Sequence, residues 1–161
     1  MANLLVLVGL PASGKSTFSE GLEKLGVVKT FSSDAVREEK FGDASIQEKN
    51  GKGAKYIFGI MDERVKKALY DDYDVVYDAT SLTRKTRMAL LEKMKGYYDT
   101  TTAVFFDTLL DECLERNSRR DRVVPVDVIL KMNKNLEEPS YDEGFDRILI
   151  VKNGNIKKKK R

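Results

Sequence analysis

"LLVLVGLPASGKSTF", residues 4–18, begins with five apolar residues, turns through a glycine and a proline, and ends in Gly-Lys-Ser-Thr before its last phenylalanine. An unbroken apolar run of this length reads as a strand covered on both faces, as in a parallel sheet. The embedded "GLPASGKST" fits G-x-x-x-x-G-K-[ST], with Gly9, Gly14, Lys15, Ser16 and Thr17 in place and Ser13 inside the turn. In a strand–loop–helix setting, the backbone N–H groups of such a loop surround an anionic phosphate. The lysine then reaches the outer phosphates, and Ser16 ligates Mg²⁺. The stretch therefore predicts a nucleoside triphosphate as ligand, Mg²⁺ as its companion ion, and an α/β architecture.

Working outward, apolar runs at 3–8, 27–31, 74–78, 101–106 and 147–151 read as strands. Helical stretches are expected at 15–25, 54–70, 83–96, 110–120 and 126–136, with Thr83 and Asp127 as helix starts. In 54–70, Ala54, Ile57, Phe58, Met61, Val65, Ala68 and Leu69 recur at three- and four-residue spacing and predict one buried stripe. Strands alternating with helices specify a parallel sheet of about five strands flanked by helices. The chain divides into one α/β domain, 1–152, and a basic C-terminal tail, 153–161. Residues 38–53, polar and glycine-containing, read as a surface excursion beside the ligand cleft.

Composition narrows the chemistry. The 161 residues, 41% hydrophobic, suffice for one well-buried core. No run reaches the length of a membrane span, and the first apolar run lacks the flanks of a signal peptide, so a cytoplasmic protein is expected. The lone Cys113 cannot form an intrachain disulfide and reads as a small buried side chain. The chain has no histidine, which removes His-based triads and His-ligated metal sites. A general base must then be a carboxylate, a lysine, a tyrosine or water. Lys152 and the closing "KKKKR" hold six positive charges, so the rest of the chain, at −3, is mildly acidic. Such a tail either touches a nucleic-acid backbone or is simply a solvated, disordered end.

The remaining motifs choose among phosphate-loop proteins. "NKNL" at 133–136 has Leu136 where a guanine switch needs aspartate, and no transporter-type signature is present. The second strand ends in "FSSDAVREE", which puts Asp34 at the carboxyl edge of the sheet, where ligands of open α/β folds bind. Arg37 follows one helical turn later. Asp34 can accept a hydroxyl proton as that oxygen attacks the γ-phosphate, or it can cap a helix while pairing with Arg37, or both. The third strand ends in "VVYDATSLTRKTR": Asp78 and Thr80 sit at the same edge, with Arg84 and Arg87 on the next helix as acceptor-side candidates. A turn role for Asp78 is the alternative to a contact with a Mg²⁺-bound water or the acceptor. In "ERNSRRDRVVPVDVI", Arg116 and Arg120 share a helical face and suit phosphate oxygens, while Arg119 and Arg122 are expected to face solvent.

Taken in order and spacing, "GLPASGKST", "SSDAVR", "YDATSLTRKTR" and "ERNSRRDRVVPVDVI" resemble the 5′-hydroxyl polynucleotide kinase domain of the T-even phage end-healing enzyme and its bacterial RNA-repair relatives. The likeness covers residues 1 to about 136. It implies a P-loop kinase fold with a helical, arginine-bearing lid, Lys15 and Ser16 holding ATP and Mg²⁺, Asp34 as general base and Arg37 on the acceptor. It also implies Arg120, with Arg116, on the donor phosphates. The phage enzyme's D-x-D-x-T phosphatase motif has no counterpart here, so no 3′-phosphatase activity is expected. The reading is thus ATP-dependent phosphorylation of polynucleotide 5′-OH ends. Its alternatives are a small-metabolite or nucleoside kinase and a nucleotide-dependent switch or non-catalytic nucleic-acid-binding module.

Overall fold

Alternate residues of the opening run feed two separate cores. In the computed structural model, which describes residues 1–26, 28–42 and 52–161, Leu4, Val6 and Val8 join one apolar cluster while Leu7 joins the other. The same split recurs at Val75 and Tyr77 against Val76, and at Ala103 and Phe105 against Val104 and Phe106. A strand that alternates between two cores must lie inside a sheet covered on both faces, which is why the run is apolar throughout.

The sheet has the order β2-β3-β1-β4-β5-β6, built from β1 (Asn3–Val8), β2 (Val28–Ser32), β3 (Asp74–Asp78), β4 (Thr100–Phe106), β5 (Arg147–Lys152) and β6 (Asn155–Lys158). The first five strands run parallel, and β6 is antiparallel to β5. The flanking helices are α1 (Lys15–Lys24), α2 (Ser33–Phe41), α3 (Lys52–Tyr70), α4 (Arg84–Met94), α5 (Leu110–Ser118) and α6 (Val126–Asn135). Each predicted strand and helix has its counterpart, and Thr83 caps α4 by accepting from the Thr86 N–H at 3.2 Å. Since β1 has β3 on one side and β4 on the other, the chain reverses its winding there. The carboxyl ends of these strands open a crevice at that point. No helix among the described residues is long and apolar enough to cross a membrane.

Three local readings change. On α3, Ile57, Met61, Val65, Ala68 and Leu69 form the buried stripe, but Ala54 is exposed and Phe58 is only half-buried. The start of the expected 38–53 excursion belongs to α2, which closes at Gly42 with φ 76, while 43–51 lies outside the described residues. The basic tail stays exposed but is not a disordered end. Asn153 (φ 50) and Gly154 (φ 76) make a two-residue hairpin turn of the Asn-Gly type, and β6 pairs back on β5. The Lys159 N–H donates to the Ile148 carbonyl at 2.7 Å, and its Nζ donates to the Pro139 carbonyl at 2.9 Å. The exposed backbone edge of β5 offers hydrogen bonds that a free tail lacks. The lysines are also suited to the outer strand, where charge discourages further pairing.

Candidate functional site

The cradle at the carboxyl end of β1 is made almost wholly from main chain. Gly14, the N-cap of α1, has φ 111, and Ala12 has φ 62, so successive N–H groups curl around a concavity suited to an anion. Gly9 is required by space: a Cβ there would lie 2.7 Å from Ser13 Oγ and 3.1 Å from Phe106 Cβ. Its N–H donates to the Thr80 carbonyl at 3.1 Å, which ties the cradle to the loop after β3. Thr108 Oγ1 donates to the Ser13 carbonyl at 2.9 Å and braces the other side.

Lys15 is buried, and its Nζ donates to the Gly9 and Leu10 carbonyls at 2.8 and 2.7 Å. Burial lowers its pKa to about 8, against the opposing pull of the Asp78 and Asp34 charges, and Arg120 pushes in the same direction as burial. A cation stripped of water in this way is primed for phosphate oxygens. Ser13 Oγ is buried without a hydrogen-bond partner, an orphaned polar atom inside the cradle. Ser16 and Thr17 are exposed at the start of α1. Burial pushes the Asp78 carboxyl up, with the Lys15 charge pulling it back down.

The cradle opens into one cleft of about 1050 Å³ that also holds Asp34, Arg37, Asp78, Thr80, Arg116 and Arg120. Asp34 is not the helix cap. Ser32 takes that place, accepting from the Ala35 N–H at 3.2 Å, and Asp34 sits in the first turn of α2 and lines the cleft. Arg37 Nη1 lies 3.1 Å from Asp34 Oδ1, and the Arg37 guanidinium stands 5.8 Å from the centre of the Phe58 ring.

Across the cleft, α5 and α6 are joined by a short loop pinned by the buried Asn117. Its Nδ2 donates to the Val124 carbonyl at 2.8 Å, and its Oδ1 accepts from the Val124 N–H at 3.0 Å. This closure presents Arg120 and Arg122 to the cleft, where Arg116, paired with Glu112, also lines the wall, while Arg119 pairs with Glu115 outside it.

Four sequence-based assignments are corrected. Arg87, expected on the acceptor, has no exposure. Its Nε meets Glu143 Oε1 at 2.6 Å, and its Nη1 donates to the Ser81 and Leu82 carbonyls at 2.8 and 3.0 Å. Removing one partner of such a buried pair costs about 3–5 kcal/mol, so its work is structural. Arg84 is also held away from the cleft, by Asp142 at 2.6 Å and Ser140 at 3.0 Å. Gly9 supports the cradle from behind without lining the cleft. Arg122, expected in solvent, instead faces Asp34 Oδ2 at 2.9 Å. Phe58 and Asn153 also line the cleft and were not singled out as site residues. Helical spacing placed Phe58 on a core stripe, and the Asn-Gly pair that forms the hairpin was legible as a turn signal.

A Mg²⁺ ion fits the donor chemistry. Among the described residues no group of three His, Cys, Asp or Glu could hold a metal by itself. Mg²⁺ does not need one, because it is bound through one or two protein oxygens together with water and phosphate. The Ser16 hydroxyl and the Asp78 carboxylate are the hard oxygens beside the cradle.

A main-chain phosphate cradle with a desolvated lysine, at the switch point of a parallel sheet, defines a P-loop nucleotide-binding protein of the kinase type. The family described as AAA domain matches residues 4–139, and the chain belongs to it. The L-seryl-tRNA(Sec) kinase of Methanococcus maripaludis is 26% identical over 148 residues, covering 89% of this chain and 56% of the relative. The protein kti12 of Schizosaccharomyces pombe is 24% identical over 157 residues, covering 92% and 56%. The chain thus spans about half the length of the curated relatives it matches. Among solved structures, a chain of the Pnkp1/Rnl/Hen1 complex superposes with a TM-score of 0.65 at 26% identity, covering 77% of this chain and 40% of that one. A gluconokinase from Sinorhizobium meliloti superposes at 0.64 with 21% identity, covering 92% and 81%, a likeness of fold alone.

Proposed function

We propose that the chain transfers the γ-phosphate of ATP to the 5′-OH end of a polynucleotide, in the cytoplasm. The observation that carries this reading is Asp34, set at the mouth of an open cleft whose far wall is the phosphate cradle, with arginines on its acceptor side. A carboxylate so placed takes the hydroxyl proton as the oxygen bonds to the γ-phosphorus and the bond to the β-phosphate oxygen breaks, releasing ADP. Lys15 and Arg120 offset charge on the transferring group, and the loop N–H groups from Gly14 to Thr17 hold the phosphates. Mg²⁺, held through Ser16 and on the Asp78 side, would neutralise the β- and γ-oxygens. Arg37 faces the acceptor.

The likeness to a chain of the Pnkp1/Rnl/Hen1 complex and to a kinase named for seryl-tRNA supports a nucleic-acid acceptor. An acceptor screen with γ-labelled ATP across 5′-OH RNA and DNA oligonucleotides, nucleosides and small hydroxyl metabolites tests it. Label is expected on oligonucleotide 5′ ends. Label appearing only on a small metabolite such as a sugar acid would replace this reading with that of a metabolite kinase.

A further inference from the structure

The loop between α5 and α6 carries a cation that the donor side does not use. Arg122 Nη1 lies 2.9 Å from Asp34 Oδ2, while Arg37 Nη1 lies 3.1 Å from Asp34 Oδ1. One guanidinium comes from α2 and the other from the lid, and they meet on opposite oxygens of a single carboxylate. Both side chains are mostly withdrawn from solvent, at 20% exposure for Arg37 and 28% for Arg122, whereas Asp34 keeps 48%. The trio therefore carries one excess positive charge in a partly dehydrated place, which favours one more anion.

We propose that Arg122 is a second acceptor-binding residue. Together with Arg37 it grips one backbone phosphate of the acceptor, beside the hydroxyl that Asp34 activates. This rests on the polynucleotide-kinase reading of the cleft and deepens it by giving the acceptor side a residue from the lid. Two planar forks converging on one anion suit a tetrahedral phosphate, whereas an uncharged polyol would leave both with only the carboxylate they already share. The position on the lid adds a second consequence. Arg120 acts on the Lys15 side and Arg122 on the Asp34 side, and both belong to the loop pinned by Asn117 and Val124. One short segment thus answers to donor and acceptor together.

The test compares the wild-type chain with Arg122→Ala and Arg122→Lys, at saturating ATP, on adenosine, adenosine 3′-monophosphate and a 5′-OH oligonucleotide. Calorimetric binding of adenosine 3′-monophosphate to the ADP complex runs in parallel. Arg122→Ala is expected to raise KM for both phosphate-bearing acceptors by about tenfold or more, with a matching loss of calorimetric affinity and a much smaller change in kcat. Arg122→Lys should recover part of the loss, since it restores charge without the fork. A uniform fall in kcat on all three acceptors, with binding intact, would show that Arg122 only positions Asp34 and would overturn the proposal, as would a variant indistinguishable from wild type. In either case an active wild type on oligonucleotides leaves the polynucleotide reading standing. A wild type that neither phosphorylates nor binds any of the nucleotide acceptors overturns both.

Discussion

The two ends of the cleft are built by different means. The donor end comes from one contiguous stretch, Gly9 to Thr17, and is held by main-chain geometry: left-handed residues at Ala12 and Gly14, a glycine that no Cβ could replace, and a lysine donating to two carbonyls. The proposed acceptor end joins Asp34 and Arg37 on α2 with Phe58 on α3 and Arg122 on the lid, and only side-chain contacts connect them. Main chain positioned by short bonds offers the same surface to any triphosphate. Side chains brought from separate elements can exchange partners, so under the proposed function selectivity between acceptors belongs at that end.

If the division is right, the two ends fail differently when altered. The largest effect is expected at the donor end, where Lys15→Ala removes the desolvated charge beside the outer phosphates. Turnover should fall by about three orders of magnitude or more on every acceptor, with nucleotide affinity also reduced. Near-normal single-turnover rates in Lys15→Ala would break the comparison.

Next in size is Asp34→Asn, which keeps the shape at the acceptor end but cannot take a proton. Turnover is expected to drop by about two orders of magnitude, while ADP affinity and Tm stay close to wild type, since Ser32 rather than Asp34 caps α2. A drop in Tm with turnover preserved would reassign Asp34 to a structural pairing with its two arginines.

The smallest effect is one of pH, and it sharpens the description of the donor end. Lys15 in the free protein loses its proton near pH 8, while bound phosphates favour the charged form. Nucleotide affinity should stay level below that pH and fall above it by up to about tenfold per unit. Lys15→Met should show weaker binding without this slope. The nucleotide-free fold moves the other way. With the folded pKa depressed, the unfolded chain holds more protons from about pH 8 up to the ordinary lysine value, so the share of stability set by Lys15 rises with pH in that window. Equilibrium dialysis and denaturant titrations across pH 7–10 measure the two slopes.

Legibility in the sequence follows the same division. The cradle could be read letter by letter, because each of its requirements is local: a left-handed turn needs Gly14, and the strand before it must be apolar because both faces are covered. Asp34 and Arg37 were legible as a pair at one helical turn. Arg122 was not, because its role depends on a loop closing across the cleft, and in sequence it is one arginine among several in "RNSRRDR". Arg87 misled for the same reason. It lies one turn after Arg84 on a helix that follows the third strand, and nothing local says that Glu143, far along the chain, will bury it. The tail misled because its composition is that of a disordered end, whereas the Asn-Gly turn and the open edge of β5 turn it into a strand.

By itself, then, the sequence determined the parallel α/β fold, the phosphate cradle and the carboxylate at the sheet edge, since periodicity, backbone conformation and neighbouring spacing are short-range properties. Tertiary structure alone decided which arginine reaches Asp34, which one is locked in a buried ion pair, and that the lysine-rich end completes the sheet. Each of these depends on charges and hydrogen-bonding edges from distant parts of the chain meeting at a few ångströms, and one-dimensional spacing does not encode that distance.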